Sequence, residues 1–309
     1  MKLEDLLNLW LEKYAKLSIK PRSYNKYEAF ITLHINPILG NTPITEITSN
    51  MLQDFILQKL ENGNLKTNKP LSVNTVFGIV SVLKQAFKLA LTLDLIPKDP
   101  TVAIKLPQQQ EKEIQALTRD EQKRIEEYCL KQTKNNYIGI IICLYTGIRL
   151  GELLALTWDD IDFEKKFLYI KKTAYKIKIN GKNQMVIDKP KTKKSNRIIP
   201  LPDKLINLLQ LTKNKSTSDY ILSTKTNNMV DIRSYQRTFE SILNKCGIKH
   251  YNFHCLRHTF ATRALELGMD IKTLSEILGH TNVAITLNRY AHSLLEYKIQ
   301  EMNKISSLL

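Results

Sequence analysis

Three prolines, Pro97, Pro100 and Pro107, followed by the polar run Gln108-Gln109-Gln110-Glu111-Lys112-Glu113, cut this chain into two parts. A proline ring fixes φ and removes an amide donor, so a helical pattern stops at such a cluster. The polar run behind it offers nothing to bury. The break predicts a domain at 1–107, a linker at 108–115 and a second domain beyond, a division that suits a chain of 309 residues.

The two parts carry different periodicities. In the first, Leu3, Leu6, Leu7, Trp10, Leu11 and Tyr14 recur at helical spacing, and Tyr24, Tyr27, Phe30 and Ile31 resume it after Pro21. Pro37 and Gly40 predict a loop. Thr48-Ser49-Asn50 offers caps for a helix through Leu60, and Ser72 caps a longer one through Leu91. The second part opens on a capping box, Thr118 with Glu121. An apolar helix over Ile138–Leu144 stops at Thr146-Gly147, and a new one starts at Arg149. From Phe163 to Leu201 the pattern turns strand-like, with Asn180-Gly181 as a hairpin signal between two β-like runs. Helices return at Asp203, around Tyr235–Leu243 and at His254–Leu267, the last with Gly268 behind it. Asp270 caps Ile271–Leu278, Gly279 stops it, and Thr281 is expected to cap the helix that carries Tyr290. The predicted fold is mainly α with a small antiparallel β-sheet, an α+β arrangement. In the tail, 293–309, Leu295, Ile299, Met302 and Ile305 form an apolar stripe.

Charge narrows the partner. The formal net charge is +16. Residues 1–107 hold 13 basic against 9 acidic residues, a net of +4, and residues 108–309 hold 33 against 21, a net of +12. The stretch 165–197 alone has 12 basic residues and one acid, Asp188, so one short segment carries nearly all the excess of the second part. That concentration points to a polyanion. No uninterrupted apolar run reaches the length of a membrane span, and Met1–Leu7 is acidic and amphipathic rather than signal-like, so no membrane partner is expected. Cys129, Cys143, Cys246 and Cys255 form no CxxC pair and read as reduced structural thiols of a cytoplasmic protein, without metal or cofactor.

The polar blocks carry the chemistry. They are Thr146-Gly147-Ile148-Arg149, His254-Cys255-Leu256-Arg257-His258, Leu278-Gly279-His280 and Arg289-Tyr290, with the basic turn Lys189-Pro190-Lys191-Thr192-Lys193-Lys194 between the first two. Transfer of a phosphodiester needs its oxygens neutralised, its nucleophile held in line and its leaving oxygen protonated. Arg149 and Arg257 stand near helix starts, where planar guanidinium forks suit phosphate. Glu152 orients Arg149 or is a helix-start acid. His254 and Arg257 share a helical face, whereas His258 reads as structural. His280 follows a helix stop. Tyr290 has an ordinary pKa of about 10 and would need nearby positive charge to act as a nucleophile.

Taken together and in this order, Arg149, His254-x-x-Arg257, Leu278-Gly279-His280 and Tyr290 resemble the tyrosine recombinase, or phage integrase, family. The resemblance covers 116–292 as the catalytic domain, and more loosely 1–107 as a helical core-binding domain. It implies that Arg149 and Arg257 clamp the scissile phosphate, His254 assists proton transfer, His280 hydrogen-bonds the phosphate, and Tyr290 attacks to leave a 3′-phosphotyrosyl bond. Glu152 resembles the family's acid that supports the first arginine. The family's general-acid lysine lies on a β-hairpin turn; Pro190-Lys191-Thr192 resembles its setting, with Lys189, Lys193 and Lys194 as neighbouring alternatives. Helical periodicity from residue 3 leaves no room for the small β-rich arm-binding domain that many mobile-element integrases carry first, so either this is a two-domain recombinase or the chain begins late.

The function so implied is site-specific recombination of double-stranded DNA by a phage or mobile element. Four protomers, forming C-shaped clamps on paired sites, would exchange strands through a Holliday junction, with accessory DNA-bending or directionality proteins as further partners. Lys193, Lys194, Arg22, Ser23, Tyr24, Ser72, Asn74 and Thr75 are candidate DNA contacts, chosen for polarity and position near turns and helix starts. The tail either packs on its own domain or docks on a neighbouring protomer. A type IB topoisomerase, which shares the chemistry, and a non-catalytic DNA-binding regulator are the alternatives.

Overall fold

The structure is a computed structural model that describes residues 1–108, 115–132, 135–179, 182–188, 196–290 and 302–303. It is mainly helical and divides into two compact units, Met1–Lys112 with the segment Ile177–Asn183, and Glu113–Lys176 with Gln184–Leu309. The lysines at 189, 191, 193 and 194 lie outside the described residues, as do most of the 108–115 linker and all of the tail but residues 302–303.

The first unit is built from α1 (Leu3–Leu9), α2 (Lys16–Ser18), α3 (Pro21–Phe30), α4 (Asn36–Leu39), α5 (Ser49–Asn62) and α6 (Val73–Thr92). A π-helical segment, Trp10–Ala15, joins α1 to α2, and another, Ile31–Ile35, joins α3 to α4. The second segment corrects the loop expected at Pro37–Gly40. Pro37 has no amide hydrogen and its ring would crowd the carbonyl four residues back. The π turn widens the ladder just ahead of it, with Asn36 N–H donating to Ile31 O, five residues back. The helix therefore passes through the proline. Caps form where sequence placed them: Thr48 accepts from Met51 N–H, and Ser72 accepts from Thr75 N–H. By length and composition α6 would suffice to cross a membrane. Here it is the core helix of the unit, with Val76, Ile79, Val80, Leu83 and Phe87 buried against Leu3, Leu7, Leu52 and Ile56.

The second unit holds α7 (Arg119–Lys131), α8 (Ile138–Thr146), α9 (Leu150–Ala155), α10 (Asp203–Lys213), α11 (Ile232–Lys245), α12 (Cys255–Glu266), α13 (Ile271–Leu278) and α14 (Val283–Arg289). The strands of the chain are β1 (Ile161–Asp162), β2 (Phe167–Ile170), β3 (Thr173–Ile179), β4 (Lys182–Asp188) and β5 (Arg197–Pro200), all in the second unit except the end of β3 and the start of β4, which fall in the Ile177–Asn183 segment. They form a three-stranded sheet of order β1-β2-β5 and a separate β3-β4 pair, flanking Asn180 and Gly181, which are not described. α8 is apolar all round and buried from Ile138 to Leu144, as a helix without a polar face must be. It packs on α12 and α7, and Tyr235 of α11 donates from its hydroxyl to Asn136 O, just ahead of α8, at 2.6 Å. In the sheet, Leu168 pairs with Ile199 and Ile170 with Arg197. Leu168, Ile170 and Ile199 are buried. Side chains alternate along a strand, so Arg197 shares the inner face of β5 with Ile199. Its guanidinium is thereby delivered to the interior.

Candidate active site

The site is assembled around the last turn of α13. α8 ends at Gly147 in a left-handed conformation, φ 64°, where an added Cβ would collide with Phe260. The chain then turns through Ile148 and starts α9 with Arg149 as N-cap. Glu152, three residues into that helix, accepts the Arg149 backbone N–H at 2.9 Å and the Arg149 Nη1 at 3.0 Å. The acid therefore does both things the sequence allowed: it caps the helix start and holds the arginine. Arg149 Nη2 donates to Gly279 O at 3.3 Å.

Arg257 lies on α12 and is 2 % exposed. It donates from Nη1 to Gly147 O and from Nη2 to Leu278 O, each at 2.8 Å. Burial, and then the neighbouring Arg149 cation, push its pKa below the ordinary guanidinium value. It stays charged at neutral pH, since arginine starts so high. Two like charges held at one helix turn, Arg257 buried and Arg149 partly open to solvent, favour an anion between them.

Gly279 ends α13 with φ 65°, and His280 follows, its backbone N–H returning to Ser275 O at 3.0 Å. The His280 ring is oriented by Nδ1 against Thr286 Oγ1 at 2.7 Å. The helix start before Tyr290 corrects the sequence expectation: Asn282, not Thr281, is the N-cap of α14, accepting from Ala284 N–H. Its carboxamide oxygen reaches that amide at 2.9 Å, which places the helix start one residue later than the threonine suggested.

Tyr290 is 3 % exposed, among Ala261, Ala264, Leu265, Leu274 and Leu278. Its hydroxyl is 2.8 Å from His258 Nδ1. By sequence His258 reads as structural and off the His254 face, and the geometry differs. Four residues advance a helix by little more than one turn, so positions i and i+4 overlie one another. The His254 and His258 rings accordingly meet edge to face at 4.7 Å, and the His258 and Tyr290 rings at 5.9 Å. The i, i+4 spacing was the signal that would have found this histidine.

Arg197 was counted in sequence only as one charge of the basic stretch. It is the partner that Glu152 shares with Arg149: Nη1 reaches Oε1 at 3.1 Å and Nη2 reaches Oε2 at 2.9 Å. Burial alone would raise the Glu152 carboxyl, but the hydrogen bonds and charge of Arg197, with Arg149, hold it down at about 2. The alternation Arg197, Ile199 along a strand pattern was the available clue.

Six of the sequence-predicted residues thus gather in the second unit: Arg149, Glu152, His254, Arg257, His280 and Tyr290. The candidates in the first unit stand at the starts of α3 and α6. Arg22 and Asn74 are exposed, and Ser23 is half-buried. The Ser72 and Thr75 hydroxyls are 2.8 Å apart and serve the cap of α6. Tyr24 packs against the core of its unit, and its hydroxyl donates to Glu12 at 3.4 Å. Burial together with Glu12 and Glu28 raises its pKa, a setting that disfavours a phosphate.

Known proteins resemble this chain over most of its length. Residues 112–296 match the phage integrase family, and residues 2–60 match the phage integrase N-terminal SAM-like domain. A XerC-like tyrosine recombinase of Caldanaerobacter subterraneus is 30% identical, over 99% of this chain and 83% of that protein. The transposase of transposon Tn916 from Enterococcus faecalis is 26% identical over 87% of this chain and 69% of that protein. The ICEBs1 integrase of Bacillus subtilis is 28% identical over 98% and 82%. Among solved structures, the Tn1549 transposon integrase in complex with transposon right-end DNA superposes with a TM-score of 0.82 at 24% identity, covering 99% of this chain and 100% of that one. A lambda integrase tetramer bound to a Holliday junction gives 0.68 at 20%, covering 91% and 78%. The likeness to the solved structures concerns the fold, whereas the family match covers most of the chain. The chain belongs to the phage integrase family and is a tyrosine site-specific recombinase.

Proposed function

We propose that this recombinase serves a mobile element and cleaves and rejoins double-stranded DNA through a 3′-phosphotyrosyl bond to Tyr290. The observation that carries the reading is the placement of Arg149 and Arg257 on consecutive carbonyls, Gly279 O and Leu278 O, directly ahead of His280. Two guanidinium groups fixed by backbone are preorganised for the non-bridging oxygens of one phosphate, and neutralise charge without reorganising as it develops. His280, its ring set by Thr286, hydrogen-bonds the same phosphate, and His254 assists proton transfer.

The Tyr290 hydroxyl attacks phosphorus as the bond to the 5′-oxygen breaks. His258, in the tautomer with an unprotonated Nδ1, is in place to take the tyrosine proton. Lys191 gives a proton to the departing 5′-oxygen, and Lys193 and Lys194 contact neighbouring phosphates. The bond energy is kept in the phosphotyrosyl link, so a 5′-hydroxyl from a partner strand can reverse the step. That reversal on a second duplex is strand exchange. The protein would act in the cytoplasm as a tetramer on paired sites, helped by DNA-bending or directionality proteins, with residues 1–107 as the core-binding domain and 116–292 as the catalytic domain.

A supercoiled plasmid carrying two copies of the DNA that flanks the gene tests this reading. Recombinant circles formed in EDTA are expected. Relaxed topoisomers without recombinants would instead select a topoisomerase, and neither product would leave only DNA binding.

A further inference from the structure

We propose that Arg197 is a positioning residue for strand cleavage, setting the pose of the Arg149 guanidinium and of the turn that carries His280. The inference rests on the phosphate-clamping role given above to Arg149. Arg197 brings both Nη atoms to one carboxylate. Nη1 and Nη2 span the two Glu152 oxygens, and these are the same oxygens that take the Arg149 side chain and backbone N–H. Its Nε donates to Ile277 O at 2.6 Å.

The last three residues of the α13 turn therefore each offer their carbonyl to a different arginine: Ile277 to Arg197, Leu278 to Arg257 and Gly279 to Arg149. A helix C-terminus leaves such carbonyls without partners in the helix and carries partial negative charge, so cations are favoured there. Two of the three guanidiniums belong to the proposed phosphate clamp. The third connects that clamp to strand β5. Gly279 is part of the same fit, because a Cβ there would lie 3.0 Å from both Arg197 Cδ and Nη1.

Burial separates this role from a DNA contact, and the demand for a planar fork separates it from plain stability. The Arg197 side chain is 6 % exposed and that of Glu152 5 %, so neither reaches a DNA backbone itself. A buried ion pair is also weak evidence for stability, since well-packed apolar residues often do as well. What the pair does supply is geometry: a rigid planar fork holds three acceptors at fixed positions, whereas the three donors of a lysine share one rotatable nitrogen and cannot reproduce that spread.

The test is single-turnover cleavage of a nicked duplex at saturating enzyme, with DNA affinity and thermal melting measured on the same preparations. Arg197→Lys should slow cleavage by about 10- to 100-fold, the penalty for a misplaced group, with DNA affinity changed by no more than about threefold. Arg197→Gln should do the same. In an Arg149→Ala background either substitution should add less than about threefold, because residues that act through one another are not additive. Equal penalties in both backgrounds, or an unchanged rate, would overturn the proposal. Loss of a melting transition in both variants would also overturn it, by assigning Arg197 to folding. A wild-type protein that forms no covalent adduct would instead strike the recombinase reading itself, and this inference with it.

Discussion

Glu152 is the residue on which most of the site's electrostatics converge. Its carboxylate is 4 % exposed and held at about 2 by two arginines, against a burial effect of opposite sign. Its folded pKa lies below the unfolded value of about 4.3. The stabilisation it contributes is thus present in full above that value and lost as pH falls from about 4.3 through 2. Glu152→Gln should lower stability at pH 7 by about 3 kcal/mol, as expected for breaking a buried pair, and should flatten the pH dependence of urea unfolding between about pH 4.5 and 2. An unchanged acid limb would contradict the assignment. Lys191 makes a second residue-scale prediction. Lys191→Ala should slow cleavage by about 10²–10⁴-fold, and a substrate with sulfur in place of the bridging 5′-oxygen should restore most of the rate, since a thiolate leaves without protonation. Rescue that follows Lys189→Ala or Lys193→Ala instead would move the general acid. At this scale Arg149, His254, Arg257, His280 and Tyr290, which the structure gathers in the second unit, stood out in sequence because each sits in a short motif. Arg197 and His258 did not, since their meaning lies in a strand face and a helix turn, not in a neighbour in sequence.

At the scale of elements, the decisive unit is the α13 turn. Its legibility was high: Asp270 as cap and Gly279 as stop are where the sequence put them. Gly279→Ala would force a residue with Cβ into φ 65° and against the Arg197 guanidinium. Destabilisation of about 1–2 kcal/mol is expected from the left-handed backbone alone, with a lower melting temperature and slower cleavage. A variant with wild-type melting and rate would show that the turn tolerates displacement. Elements of strong period were legible, including α6, α8, β2 and β5. β1 was not, because two residues cannot display a period. The helix through Pro37 was not either, because it depends on a π turn that composition does not announce, and Asn282 took the cap expected at Thr281 because asparagine, its immediate neighbour, is the stronger capping type.

At the scale of the whole molecule, the charge of +16 is unevenly held, with +11 in residues 165–197. The prolines and polar run that divide the sequence near residue 108 stand close to the junction of the two compact units at Lys112 and Glu113. The stripe Leu295, Ile299, Met302 and Ile305 is proposed to dock on a neighbouring protomer. Deleting residues 294–309 should leave a folded protein that binds a half-site yet forms few synaptic complexes. Full recombination by the truncated protein, or a large loss of monomer melting temperature, would contradict trans docking.

The central claim is that Tyr290 is the nucleophile, and covalent capture tests it most directly. A nicked suicide duplex carrying the recombination site, incubated with the wild-type protein in EDTA, should give a denaturation-resistant adduct whose DNA 3′-phosphate maps to Tyr290 by peptide mass spectrometry. Tyr290→Phe, which keeps the ring in its apolar setting, should bind the same duplex and give none. A normal adduct yield from Tyr290→Phe, or a wild-type adduct on another residue, would contradict the account.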